Sequence, residues 1–287
     1  MKNLKIGQVA GLLGIQAHTL RTWEKRYCIR TPARSLTNIR LYDTVTLREL
    51  FDISLLNQLH YKISFVSRLS PLQRKKKINE SDNPGILAQK TVNELLTLAL
   101  ECKIEDFEML LDGYLSSAGI NTGIEKVLLP LQEKTKLLKQ QDGSMPVGLR
   151  LAYHLIRQKI LVQLEHLPSQ GKGSCEAVLL VSPGCQNELC PLFLYYTLRR
   201  KGIKVFYLGR VSMSAGLKDL LVILRPGFLL VYTEQALLRE SRDLTNLIAG
   251  LPFHPVLMSM DEKACDPGWA QAFFDRSIEE AVHLTGA

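Results

Sequence analysis

The sequence contains no uninterrupted apolar run approaching the roughly 18 to 20 residues needed to cross a bilayer. Its most apolar stretch, Leu220 to Tyr232, is broken by Arg225, Pro226 and Gly227, and Met1 to Gln8 has no apolar signal-peptide core. No membrane partner is therefore expected. The six cysteines (28, 102, 175, 185, 190, 265) are scattered without the spacing of a disulfide framework, which points to reduced thiols and a cytoplasmic protein. No Gly-x-Gly-x-x-Gly fingerprint follows the first strand-like run, so a nicotinamide or flavin role has no support. No grouping of nucleophile, base and orienter is visible either, and the chain is not expected to be an enzyme.

What is present is enough chain, 287 residues with 46% apolar content, for two or three domains with real cores. The formal charge of +8 becomes informative once it is located. Residues 1–77 hold 15 Lys/Arg and 4 Asp/Glu, a net of +11, whereas the other 210 residues hold 21 and 24, a net of −3. A basic end on a slightly acidic body is the footprint of a module that neutralises phosphates. A solvated tail is the plainer explanation of a charge run, but these charges alternate with apolar residues at helical spacing.

Ile6, Val9, Ala10 and Leu13 recur at i, i+3, i+4 and i+7, which predicts a short amphipathic helix ended by a turn at Gly14-Ile15. In Gln16 to Tyr27 a second helix puts Leu20, Trp23 and Tyr27 on one face and leaves His18, Thr19, Arg21, Thr22, Lys25 and Arg26 elsewhere. The pair reads as a helix-turn-helix with a basic outer face. Arg30 to Tyr42 reads as a turn and hairpin, a wing, with Pro32 at its start, Asn38 suited to positive φ at its tip, and Arg34 and Arg40 on either side. Thr46 and Glu49 have capping-box spacing ahead of a helix through Leu50, Ile53, Leu56 and Leu59.

Gln73 to Gly85 has no apolar periodicity and closes on Asn-Pro-Gly, so it is expected to be a linker. Four helical stretches follow, Thr91–Glu101, Ile104–Leu115, Ile124–Leu138 and Val147–Leu167, and suggest a bundle. Beyond a glycine-containing stretch, Ala177–Val181, Val205–Leu208, Phe228–Tyr232 and Pro255–Met258 read as strands separated by helix-length segments, the rhythm of a doubly wound parallel sheet. The expected fold class is thus multi-domain α and α/β. Its parts are a winged helix-turn-helix at 1–72, a linker at 73–85, a four-helix bundle at 86–168 and a Rossmann-like domain at 174–287.

IGQVAGLLGIQAHTLRTWEKRY followed by TPARSLTNIRLY resembles the MerR regulators, whose pattern joins a T-L-R-x-W-E-x-R-Y recognition helix to an R…R-x-Y wing; the match spans about residues 4–70. By position the resemblance implies that Arg21, Arg26, Tyr27, Arg34, Arg40 and Tyr42 contact double-stranded DNA and that His18 and Thr19 face base edges, with Leu20 and Trp23 in the core. At the wing tip Asn38-Ile39 replaces the Gly-aromatic pair often seen. The remainder is similar to the light-responsive, cobalamin-dependent repressors of that family. There LIRQKI at 155–160 and LRRKGIKVFYLG at 198–209 correspond to a bundle helix and the first crossover of a cobalamin-binding domain.

The subclass coordinates cobalt from below through a Glu-x-His-x-x-Gly loop, because neutral imidazole suits that metal and glycine lets the corrin approach. Here those three positions are Cys185, Asn187 and Cys190. The upper-face Trp and Glu-His pair align near Lys139, Leu149 and Arg150; the only tryptophans are Trp23 and Trp269, and the only histidine in Gly119–Leu164 is His154. The resemblance therefore implies the architecture without the cofactor, and no cofactor or metal is expected. A redox or metal role for Cys185 and Cys190, a ligand role for His154 and phosphate contacts by Arg74–Lys77 are each weaker than plain core, surface or solvated-chain roles. Gly202 and Gly209 read as turn and packing glycines.

The function these residues imply is a DNA-binding transcription regulator, with a repressor the nearest resemblance, acting as a homodimer or homotetramer. The rivals are a regulator responsive to cobalamin or another small molecule, and an adaptor whose C-terminal domain binds a related regulator.

Overall fold

In the computed structural model, the described residues are 3–27, 29, 32–35, 38, 40–138, 145–170, 176–183, 185, 188–212, 214–232, 251–252 and 256–260. The chain is mostly helical with a small parallel sheet, and forms two compact units, residues 1–155 and 156–287.

The first unit opens with β1 (Leu4–Lys5) and α1 (Ile6–Leu13). The α1 helix stops at Gly14, whose φ of 68° lets Gly14 and Ile15 donate back to the carbonyls of Gly11 and Ala10. The next helix, α2 (Ala17–Tyr27), buries Leu20 and Trp23, as their spacing predicts. A hairpin of β2 (Ala33–Arg34) and β3 (Arg40–Tyr42) pairs antiparallel with Arg34 opposite Arg40, and Asn38 takes a φ of 60°. β1 adds to the other edge of β3, with Leu4 opposite Tyr42. Two residues are too few for an alternating pattern, so β1 is absent from the sequence reading.

The α3 helix (Thr44–Gln58) starts one turn earlier than its expected cap. Asp43 is the N-cap, its carboxylate accepting from the Thr46 N–H at 2.7 Å, while Thr46 is buried inside the first turn. After α4 (Ile63–Val66) comes the main correction to the sequence reading, since α5 (Pro71–Asn79) occupies most of the stretch expected to be linker. Its helix is set by a local signal rather than by periodicity: Ser70 and Gln73 form a reciprocal capping box, with Pro71 in the first turn. Arg74 and Ile78 then face inward.

The four helical stretches expected beyond it are all helical. They are α6 (Pro84–Leu100, capped by Asn83), α7 (Ile104–Ala118), a third built of α8 (Ile120–Gly123), a π turn (Ile124–Leu128) and α9 (Leu129–Lys136), and α10 (Val147–Glu165). A Cβ on Gly148 would lie 1.8 Å from the Ala99 carbonyl oxygen, so α10 touches the α6 backbone where only glycine fits.

The second unit is built on β4 (Ala177–Val181), α11 (Leu189–Arg200), β5 (Val205–Arg210), α12 (Ala215–Leu224), β6 (Phe228–Tyr232) and β7 (Val256–Met260). The strands run parallel in the order β5-β4-β6-β7, so the chain passes from β4 to one neighbour and returns to its other side. β4 is wholly buried, which explains its unalternating Ala-Val-Leu-Leu-Val. Gly209 is not a packing glycine, because no atom of the described residues lies within 4 Å of a Cβ placed there. Its φ of 67° carries a one-residue register shift, since Leu179 pairs with Tyr207 but Leu180 with Gly209. Gly202, with φ 81°, is the turn glycine expected.

Candidate nucleic-acid interface

On α2 the side chains of His18, Arg21, Thr22, Lys25 and Arg26 are exposed, and Thr19 and Tyr27 are half-buried. Leu20 and Trp23 on the opposite side hold the helix to its unit, so the cationic stripe is presented outward by core packing. Among the described residues, Arg21, Lys25 and Arg26 form no ion pair, which leaves their charge available.

The exception on this helix is Glu24, to which the sequence reading gave no role. Its carboxylate turns inward, the side chain being 8% exposed, and accepts from the Arg40 Nε at 2.9 Å on one oxygen and from the Tyr42 hydroxyl on the other. The signal was available, because Glu24 is the sole acid in an otherwise basic helix. Tyr42 is 1% exposed, and burial together with the adjacent carboxylate raises its phenol well above the usual tyrosine range. The expectation that Tyr42 faces DNA is thus corrected: it is a core residue that orients Glu24. Arg40 remains partly exposed behind this carboxylate. Arg34 is exposed on β2 and donates through Nη1 to the Asn38 side-chain oxygen at 2.5 Å, bracing the hairpin tip. Ile39 lies outside the described residues.

A second candidate place is the carboxyl end of β4, beside β6, where the chain direction reverses across the sheet and ligands commonly bind in such folds. The Ser182 N–H donates to the Tyr232 carbonyl there, joining the two strand ends. Cys185 and Cys190 are both buried, Glu188 pairs with Arg210 at 2.9 Å, and the Tyr207 hydroxyl, desolvated and near Glu188, is pushed up to about 12. Asn187 and Lys139 lie outside the described residues. Of the other two positions aligned with the upper cap, Leu149 is buried and Arg150 exposed on α10. His154 is exposed, edge-on to Tyr153. Among the described residues no group of three or more His, Cys, Asp or Glu is placed to hold a metal, and no helix is long and apolar enough to cross a membrane.

Comparison with known proteins agrees with the basic head. The chain is 25% identical over 265 residues to the HTH-type transcriptional repressor CarH of Myxococcus xanthus, covering 88% of this chain and 86% of that protein. It is 28% identical over 238 residues to the HTH-type transcriptional repressor CarA of the same organism, covering 78% and 74%. Both relatives are named as transcriptional repressors. Among solved structures, the methanol:cobalamin methyltransferase complex MtaBC of Methanosarcina barkeri aligns at 12% identity with a TM-score of 0.31, covering 76% of this chain and 88% of that one. The model of the MerR family regulatory proteins matches residues 5–42, the span of α1, α2 and the hairpin.

Proposed function

We propose that residues 1–72 form a winged helix-turn-helix that binds double-stranded promoter DNA, in a repressor that works as a homodimer or homotetramer in the cytoplasm. In this reading α2 enters the major groove with His18 and Thr19 toward base edges, while Arg21, Arg26, Tyr27, Arg34 and Arg40 meet the backbone and flanking groove. One observation carries it: the only carboxylate of α2 is turned inward onto Arg40 and Tyr42, so the outer face meets phosphate with cations alone. One protomer offers too few phosphate contacts for tight binding at physiological salt, which is why assembly matters. Residues 86–168, as a four-helix bundle, and 174–287, as a Rossmann-like domain, are the parts that would assemble it.

The same reading holds that the body works without a corrinoid. Cys185, Asn187 and Cys190 supply thiols and an amide where the related subclass uses Glu, His and Gly, and both thiols are buried. Its work is then done through protein contacts, with a related regulator as one partner.

The test is a shift assay on operator duplexes selected from a random pool. Arg21→Ala and Arg40→Ala should each weaken binding strongly without unfolding the chain, and Arg21→Ala should lower the salt slope by about one counterion. Unchanged binding by both variants would refute the docking. Protein purified in the dark, mixed with adenosylcobalamin and desalted, should be colourless and bind DNA equally in light and dark. Retained corrin colour with light-sensitive binding would restore the small-molecule rival.

A further inference from the structure

A cavity of about 200 Å³ lies in the first unit between α3, α5, α6 and α7. Phe51, Asp52 and Leu55 line it from α3, Lys75 from α5, Thr97 from α6 and Leu110 from α7. A cavity of roughly 150 Å³ already holds a benzene-sized guest, so the space suits a small ring or short branched chain. Its apolar residues share the wall with Arg48, Asp52, Lys75, Lys90 and Glu94, and among the described residues Asp52 makes no ion pair. Three of the cations around Asp52 are committed elsewhere: Arg48 to Glu101 at 2.6 Å, Arg74 to Glu49 at 2.7 Å and Lys90 to Glu94 at 3.7 Å. Lys75 is the fourth, with an exposed side chain, and among the described residues it makes no ion pair with Asp52. A desolvated carboxylate without a partner is unfavourable, and a hydrogen-bonded cation relieves it.

We propose that this cavity binds a small primary amine with a compact apolar body, its ammonium set against Asp52 and its body against Phe51, Leu55 and Leu110. Polar Thr97 on the wall leaves room for a hydroxyl or amide on the ligand, but the charge selects the class. Burial holds the Asp52 carboxyl up at about 6 against the pull of Lys75, Arg74 and Lys90, with Glu94 adding to the rise. Amine binding therefore strengthens between about pH 5 and pH 7 as Asp52 loses its proton. Since α3 also packs with α1 of the basic head, occupancy would alter how α3 seats on α6; that coupling to DNA rests on the DNA-binding reading above.

The experiment is calorimetric titration of the full chain with 2-phenylethylammonium chloride, with 2-phenylethanol as the uncharged probe. The amine should bind one to one, and at least about tenfold more tightly than the alcohol. Asp52→Asn should erase that preference, Leu110→Trp should block both probes by filling the space, and Lys75→Gln should tighten amine binding by removing a competing cation. No saturable binding by the parent chain, an undiminished amine preference in Asp52→Asn, or weaker binding in Lys75→Gln would overturn the assignment. A DNA shift with and without the amine reads the coupling separately. Amine binding by a chain that binds no DNA would sink the functional reading and leave the cavity site standing.

Discussion

The two units treat polar groups in opposite ways. In the first, Thr44, Thr46, Ser54, Arg74, Asn93, Thr97 and Gln132 are buried, whereas in the second only Ser182 is, among the described residues. The first unit is stitched by polar ties: Arg48 and Lys103 on Glu101, Arg74 on Glu49 and the Val66 carbonyl, and Lys134 on both Asn93 and the Leu12 carbonyl at 2.7 and 2.8 Å. The second rests on a strand without a polar side chain, β4, with α12 residues Leu217 and Leu221 packed in the cluster of Val178, Leu180, Leu229 and Val231. A core of charges answers to pH and partner loss; a core of methyl groups answers to volume.

The largest effect should come from volume. Leu180→Ala leaves a hole in the β4 core and should destabilise the second unit by about 3 to 4 kcal/mol, seen as loss of hydrogen-exchange protection in β4. A cost below about 1 kcal/mol would mean that this sheet is not the rigid element of the comparison.

Next comes partner loss in the first unit. Arg74→Ala strands Glu49 and the Val66 carbonyl and should cost roughly 3 kcal/mol in urea unfolding, while Arg74→Met should recover a good part of it by filling the same volume. Equal damage from both would show that charge, not packing, holds α5 to α3.

A smaller effect of opposite sign is expected at Asp52. Its folded pKa of about 6 lies above the ordinary 3.8, so the folded chain holds a proton that the unfolded chain releases, and stability falls as pH rises from about 4 to 6. Asp52→Asn should therefore stabilise the chain by about 1 to 2 kcal/mol at pH 7 and leave it nearly unchanged at pH 4. The smallest change belongs to Lys134, whose ammonium burial lowers to about 8, below the ordinary 10.5. Above pH 8 the unfolded chain keeps a proton that the folded chain has lost, so stability should rise by about 1 kcal/mol toward pH 10, and Lys134→Met should abolish the rise. The window ends there because Tyr42 and Tyr207, both raised, act in the opposite sense above pH 10.

The same contrast explains what was legible in the sequence. The strands of a buried parallel sheet are uninterrupted apolar runs, so Ala177–Val181 and Phe228–Tyr232 were readable to the residue, and the last strand was displaced only from Pro255–Met258 to Val256–Met260. The amphipathic helices α1 and α2 and the positive φ of Asn38 were equally readable. Elements held by polar ties were not. QRKKKIN carries no periodic apolar face, and its helix depends on one Ser-Gln cap and on Arg74 finding Glu49 and Val66 from other parts of the chain. Of the proposed DNA-facing set, His18, Arg21, Arg26 and Arg34 are exposed, whereas Tyr42 is buried, because a motif gives its position and not the neighbour that buries it.

Glu24 gives the hairpin and α2 a common anchor, and this makes Arg40 more than one positive charge. Removing Arg40 deletes a cation and also unmasks an anion on the helix that would face phosphate, so two penalties fall on one substitution. Neutralising Glu24 in the same molecule lifts only the second, and the non-additivity of the pair measures how firmly hairpin and helix travel as one piece.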